Sequence, residues 1–348
     1  MILHVESDAD ADVLDLREAI EREGLRTRAV RTSRSEAVIR CIGDTSVIAE
    51  IVSTRTGVRV LDGDCPYPLV AAHPGQSRTA VRLGSSGVSV GGESLAVIAG
   101  PCSVENRRQI VDTAVGLREA GAHALRGGAY KPRTSPYPFQ GLEEEGLELL
   151  AEARRVTGLP VVTEVMDTRL VGLVAESADV LQVGARNMQN YPLLDEVGRV
   201  QRPVLLKRGP SATVEETLLA AERIVLQGNA DVVLCERGIR TYETATRNTL
   251  DVSAIAVLRE RSHLPVVVDP SHAAGRRSLV PTLALAGVAA GADGVIVEVH
   301  VSPDDAITDA NQALSLDDFA ALMPRIDRVG RAVGRPLLTR APCVGGAA

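Results

Sequence analysis

Two sets of side chains stand out in this sequence by type and position. Six cations, Arg126, Lys131, Arg133, Arg186, Lys207 and Arg237, fall in short polar stretches that follow apolar runs. Arginine offers a planar fork for carboxylate or phosphate, and lysine a point charge. Taken singly, a surface Arg or Lys is more often a solvated charge or half of an ion pair. Taken together, in a chain of net charge -7, they favour recognition of small phosphate- or carboxylate-bearing molecules. The second set is Cys102, His272, Glu298 and Asp309. A thiolate, an imidazole and carboxylates suit a borderline divalent metal such as Mn, Fe, Co or Zn. Yet the spacing follows no short metal motif, a lone buried Cys usually behaves as a small hydrophobe, and a lone His is usually a hydrogen-bonded structural residue. Spacing therefore leaves the metal reading open. Glu164, Gln182, Glu236, Asp269 and His300 occupy equivalent places after apolar runs.

Residues so far apart need a scaffold that gathers them. From residue 95 onward, short Val/Ile/Leu/Ala runs at 95–99, 124–125, 161–163, 180–183, 204–206, 232–235, 266–268 and 295–297 alternate with helical stretches. One of these opens on the capping-box pair Thr213 and Glu216. Similar phrases, GAHAL, SADVL, NADVV and GADGV, precede four of the runs. Runs apolar throughout predict a parallel sheet covered on both faces. Eight such βα units predict a (β/α)8 TIM barrel over 95–335, whose active site lies at the C-terminal ends of the strands. Every residue named above stands at such an end.

Residues 1–65 follow another pattern. Strands at 2–5, 26–31, 37–42 and 58–61 alternate with helices at 9–23 and 46–54; Asp8 is the expected N-cap of the first helix and Gly24 its stop. The order βαββαβ predicts a small ferredoxin-like or ACT-like module. Residues 66–94 read as a linker holding a hairpin between 80–83 and 88–90, and 336–348 as a C-terminal tail.

Several classes are excluded. No apolar run is long enough for a membrane span, and the N-terminus lacks the charged and apolar regions of a signal peptide. Five scattered cysteines suit a reduced cytoplasmic protein better than a disulfide scaffold. An acidic chain with 2% aromatics offers neither the basic stripe nor the stacking surface of a nucleic-acid binder.

Seven segments in order, AGPCSVE (99–105), LRGGAYKPRTSPYPFQG (125–141), QVGARNMQN (182–190), LLKRG (205–209), LCERGIRTYE (234–243), VDPSHAAGRR (268–277) and VEVH (297–300), resemble 3-deoxy-D-arabino-heptulosonate 7-phosphate (DAHP) synthases of the type I beta branch, which carry a small N-terminal regulatory domain. The resemblance implies condensation of phosphoenolpyruvate with erythrose 4-phosphate, the entry to aromatic amino acid synthesis, with a divalent metal held by Cys102, His272, Glu298 and Asp309. It places phosphoenolpyruvate on Arg126, Lys131, Arg186, Lys207 and Arg237 with the backbone of Gly184 and Ala185. It places the sugar phosphate on Arg133, Thr134 and Ser135. Lys131 is then the expected acid toward the aldehyde oxygen, and Asp269 a group orienting water or the sugar hydroxyls. Glu164, Glu236 and His300 serve equally well as partners of nearby cations. One departure is Ala310, where the family commonly carries Gly.

The nearest rival is 3-deoxy-D-manno-octulosonate 8-phosphate synthase, which normally has KANRS where this chain has KPRTS (131–135) and takes a five-carbon sugar phosphate. A rival of another class is a ligand-sensing barrel without activity, against which the intact cation and metal sets argue. The resemblance further implies a homotetramer or homodimer and an aromatic effector, tyrosine or phenylalanine, bound by 1–65.

Overall fold

Period-two alternation inside the strands decides which side chains meet. The computed structural model describes residues 1–339 except 8, 32–35, 62–64, 74–75, 133–134 and 136. The expectations for Asp8, Arg133, Thr134 and most of the 336–348 tail fall outside these. Strands β1 (Ile2–Glu6), β2 (Arg26–Arg31), β3 (Glu36–Ile42) and β4 (Val58–Leu61) form an antiparallel sheet in the order β2-β3-β1-β4. This is the split βαβ arrangement of a ferredoxin-like module. Helices α1 (Asp10–Arg22) and α2 (Ile48–Ser53) cover one face. Val13, Leu16 and Ile20 of α1 pack there with Leu3, Val5 and Ile39. Gly24, at φ +83, stops α1 as expected. The second helix begins with a 3-10 turn at Thr45–Val47, capped by Asp44.

A two-stranded hairpin, β5 (Val81–Arg82) and β6 (Ser89–Val90), then leads into eight parallel strands. These are β7 (Ala96–Gly100), β8 (Ala124–Arg126), β9 (Val161–Val165), β10 (Val180–Val183), β11 (Val204–Lys207), β12 (Val232–Glu236), β13 (Val266–Val268) and β14 (Gly294–Glu298). They close into a barrel, β14 pairing with β7. The helices between and after them are α3 (Arg107–Glu119), α4 (Glu143–Thr157), α5 (Val171–Ser177), α6 (Tyr191–Val197), α7 (Val214–Val225), α8 (Val252–Arg261), α9 (Pro270–Ala274), α10 (Val280–Ala289) and α11 (Leu316–Ala332). The capping box at Thr213 and Glu216 is formed. No described helix is long and apolar enough to cross a membrane.

The barrel has two cores. Val97, Leu125, Leu181, Leu206, Leu234 and Val268 point outward into a shell shared with the helices. Ile98, Ala124, Val162, Val180, Leu205, Val233, Val267 and Ile296 point inward, where Val81, Leu83, Val88 and Val90 of the hairpin join them. The hairpin thus plugs the N-terminal end, and the inward positions left at the other end are polar. The polar residues of the phrases that precede strands tie this N-terminal end together. Asp293, fully buried, pairs with Arg78, Arg259 and Arg335. Asn229 donates to the carbonyls of Val197, Val200 and Arg202.

The small sheet turns its uncovered face to this N-terminal end. Val38 and Leu61 join the outer core beside Tyr67, Leu69 and Val70, and Arg28 donates to Gln227, just past α7 (3.5 Å). The module therefore sits on the side of its own barrel opposite the mouth.

Candidate active site

Continuing six of the eight inward rows by two residues past an apolar side chain reaches a polar group. Ala124 is followed by Arg126, Val162 by Glu164, Val180 by Gln182, Leu205 by Lys207, Val267 by Asp269 and Ile296 by Glu298. Strand pleating alone gathers them. Arg126, Glu164, Gln182 and Lys207 line a cavity of about 540 Å3 at the barrel mouth together with Cys102, Lys131, Ser135, Gly184, Ala185, Arg186, Arg237, His272 and Asp309. Asp269 and Glu298, both buried, contact its lining residues Lys207, His272 and Arg126. Every described residue of the substrate set thus meets at one cavity. Arg240, Arg247 and Asn248 line it as well, and sequence reasoning missed them. Their signal was there: all lie in the loop that follows the LCERG segment.

One wall is anionic. The donor atoms of Cys102, Glu298 and Asp309 lie within 4.8 Å of one another, and His272 Nε2 lies 3.3 Å from Glu298 Oε1. Cys102 Sγ donates to Asp309 Oδ2 at 3.2 Å. Burial, and after it Glu298, pushes the Cys102 thiol up to about 11, so without a cation it keeps its proton. Burial holds the His272 imidazole below its usual value, hence neutral, the form that ligates. Its Nδ1 faces Asp269 Oδ2 at 2.7 Å, which leaves Nε2 as the free lone pair. Soft, imidazole and carboxylate donors converging in a buried corner fit one divalent ion.

Asp309 adopts φ +54, a left-handed conformation that Asp tolerates better than most residues. Ala310 does not share it. The loop's demand for a positive φ therefore falls on the donor itself, and Ala310 in place of Gly does not disturb it.

The other wall is cationic. Burial opposes ionisation of Asp269, but His272 and Lys207 outweigh it and hold the carboxyl well below its usual range. Lys207 Nζ reaches Asp269 Oδ2 at 2.5 Å. Arg126 Nη1 donates to Glu298 Oε1 at 2.7 Å. Lys131 Nζ donates to Cys102 O and contacts Cys102 Sγ. Removing one partner of so buried a pair leaves an uncompensated charge, at about 3–5 kcal/mol. Arg237 is 8% exposed, and burial pulls its pKa down. Among the described residues neither Arg237 nor Arg186 is in an ion pair, so both remain available to an anionic ligand.

Two glycines make the approach close enough. A Cβ on Gly184 would lie 2.0 Å from Glu164 Oε1, and one on Gly128 would lie 2.7 Å from Cys102 O and 3.0 Å from Lys131 Cδ. Glu164 itself accepts from Gln182 at 3.2 Å. Glu236 is fully buried and accepts from Arg208 at 2.8 Å, a pairing that anchors the β12 end. His300 Nε2 lies 3.4 Å from Glu105 Oε2. These three act as partners of neighbouring groups. Asp269, expected to orient water or sugar hydroxyls, is engaged by His272 and Lys207.

Residues 76–332 match the DAHP synthetase I family. A phospho-2-dehydro-3-deoxyheptonate aldolase of Thermotoga maritima is 48% identical over 310 residues, covering 88% of this chain and 90% of its own. A 2-dehydro-3-deoxyphosphooctonate aldolase of Caulobacter vibrioides is 32% identical over 71% of this chain and 90% of its own. The crystal structure of a DAHP synthase from Thermotoga maritima superposes with a TM-score of 0.77 at 43% identity, over 97% of this chain and 98% of its own. A truncated form of the Thermotoga maritima enzyme superposes at 0.72 with 46% identity, over 78% of this chain and all of its own. The match runs along nearly the whole length, and the chain belongs to the DAHP synthetase I family.

Proposed function

We propose that the chain condenses phosphoenolpyruvate with erythrose 4-phosphate and water to give DAHP and phosphate. The observation that carries this reading is the meeting, at one cavity, of a divalent-metal donor set with two cations outside any described ion pair, the buried Arg237 and the exposed Arg186. Phosphoenolpyruvate carries a carboxylate and a phosphate, and Arg186, Lys207 and Arg237 with the backbone at Gly184 and Ala185 are the groups to hold them. Arg126 bridges this subsite to Glu298. Ser135, on the rim, belongs with Arg133 and Thr134 to the sugar-phosphate end.

Cys102, His272, Glu298 and Asp309 would hold the metal, of the Mn, Fe, Co or Zn class. When bound there, it supplies Lewis acidity to the aldehyde oxygen. C3 of phosphoenolpyruvate forms the new bond to the aldehyde carbon while the C=O π bond opens, and Lys131 delivers a proton to the aldehyde oxygen, which becomes a hydroxyl. Water adds at C2, and phosphate leaves with cleavage of its bond to C2. His272, kept neutral and turned by Asp269, holds its lone pair toward the donor corner throughout.

A phosphate-release assay tests the reading. Erythrose 4-phosphate should be turned over in preference to arabinose 5-phosphate, and a chelator should abolish the rate until metal is restored. Equal use of both sugars would favour the octulosonate reading, which the more distant relatives keep in view. Release from neither, with metal present, would leave a binding barrel.

The division into 1–65, a linker over 66–94, the barrel over 95–335 and a tail over 336–348 is part of the same reading. We assign the 1–65 module an effector role with tyrosine or phenylalanine as ligand, in a cytoplasmic homotetramer or homodimer where the described free cysteines stay reduced. Closure over the mouth of a neighbouring subunit would require the module to leave its place on Val70 and Gln227. Deletion of 1–65 should keep turnover and remove inhibition; inhibition that survives deletion would overturn this role.

A further inference from the structure

The outer edge of the donor corner is held by a residue that neither the cation set nor the metal set includes. Arg247 Nη1 donates to Asp309 Oδ1 at 3.2 Å and to Gln312 Oε1 at 3.0 Å. Gln312, 2% exposed, passes this on, its Nε2 donating to Glu298 Oε2 at 2.6 Å. The amide can take only one orientation here. Flipped, it would set its NH2 against the guanidinium and its oxygen against the carboxylate, two repulsive contacts in place of two hydrogen bonds.

Each carboxylate therefore has one oxygen fastened from outside and the other facing the corner, where Arg126 also donates to that of Glu298. Asp309 Oδ1 goes to Arg247, while Oδ2 faces Cys102 Sγ. Glu298 Oε2 goes to Gln312, while Oε1 lies 3.3 Å from His272 Nε2. The same loop grips the third donor from behind. Asn248 Nδ2 donates to His272 O at 3.0 Å, and the backbone N–H groups of Arg247 and Asn248 donate to Ala274 and Ala273. Asp309, at φ +54, has a backbone that needs such support.

We propose that Arg247 is a positioning residue for the metal donors, orienting Asp309 directly and Glu298 through Gln312. This rests on the reading that Cys102, His272, Glu298 and Asp309 hold a divalent ion. Charge and position make opposite demands. As a bare cation, Arg247 would repel the ion, and its removal would tighten binding. As a positioning residue it aligns two ligands, and its removal loosens binding, on the order of 10–100-fold for an outer-sphere partner.

The experiment is calorimetric titration of the full chain with Cd2+, alongside the cadmium–thiolate absorption band that reports Cys102. The unmodified chain and Cys102→Ser test the underlying reading. No binding to the first, or a thiolate band that survives in the second, would remove the metal site and the proposal with it. Given a site, Arg247→Met should bind Cd2+ about 10–100-fold more weakly with the thiolate band retained. Equal or tighter binding would overturn the proposal. Arg247→Lys keeps the charge on a shorter side chain that places no nitrogen where Nη1 stands and should stay weak; full recovery would show that charge alone suffices and overturn the positioning role. Gln312→Met removes the relay alone and should lose affinity by a smaller factor, unchanged affinity overturning the relay. Arg247 has its side chain 39% exposed, so its replacements are expected to fold, which an unchanged thermal midpoint would verify.

Discussion

Lys131 Nζ lies 3.0 Å from Cys102 Sγ and 2.9 Å from the Cys102 carbonyl oxygen. The Lys131 ammonium is thus fixed at the edge of the donor corner, within the cavity at the mouth. A group in that place can serve an oxygen drawn to the corner. Lys131→Met should lower kcat by about 100- to 10,000-fold, the range for loss of a positioned acid, while leaving Cd2+ affinity near that of the unmodified chain. Substantial turnover by the variant would take the proton-donor role from Lys131. A parallel collapse of metal affinity would make it a support for Cys102 instead.

Asp269 accepts from Lys207 Nζ and faces His272 Nδ1 through the same oxygen, Oδ2. An amide lacks the charge, and it has only one accepting oxygen where Asp269 uses two, Oδ1 accepting from the His272 backbone N–H. In Asp269→Asn either the oxygen meets the imidazole and Lys207 loses its counter-charge, or the NH2 meets the imidazole and favours the wrong tautomer. Metal affinity should fall about 10–100-fold, and the KM for phosphoenolpyruvate should fall because Lys207, released from its counter-charge, is freed to hold the anion. The measurement is the two together. A change in stability with both values intact would reduce Asp269 to a structural residue.

Much of this was legible in the sequence, for physical reasons. Strands buried on both faces must be largely apolar, so 266–268 could be bounded to the residue, and so could 180–183 despite its one polar side chain, Gln182. The first polar group after each run then falls at the mouth. Arg247 and Gln312 were missed because no periodicity governs the loops that carry them. Their partners, Asp309 and Glu298, stand 62 and 14 residues away, a pairing that only the closed barrel creates. The docking of the small module was equally hidden. Val38 and Leu61 lie on the sheet face that alternation assigns to solvent or to a partner, and sequence cannot say which.

Pro132 lines the cavity directly after Lys131. Its ring fixes φ, so it sets the direction in which the chain leaves the lysine. The octulosonate synthases named as the rival carry Ala-Asn at the places of Pro132 and Arg133. Exchanging both, as Pro132→Ala with Arg133→Asn, removes the fixed φ and, together with it, the guanidinium proposed for the sugar phosphate. The kcat/KM for erythrose 4-phosphate should fall by about 10- to 100-fold, the worth of a charged hydrogen bond, while that for arabinose 5-phosphate falls less or rises. A uniform loss on both sugars would show that this segment serves binding without discriminating length.

Glu222, in α7, accepts from the backbone N–H of Leu69 with both oxygens (3.1 and 2.9 Å) and from that of Val70 (3.0 Å). It thereby ties the linker that joins the small module to the barrel. Burial pushes its carboxyl up from 4.5 to about 7, the two backbone donors only partly opposing. A carboxyl whose folded pKa lies above its unfolded one binds more protons when folded. Its contribution to stability is therefore complete below 4.5 and is lost as pH rises through about 7. At about 1.4 kcal/mol per pKa unit, the loss across that window is on the order of 3 kcal/mol. Thermal unfolding followed across this interval should show the midpoint falling as pH rises. Glu222→Gln keeps the carbonyl acceptor and removes the titration, so the difference between the two slopes isolates this one group. Identical slopes would assign the pH dependence elsewhere and leave Glu222 as a plain hydrogen-bonding anchor.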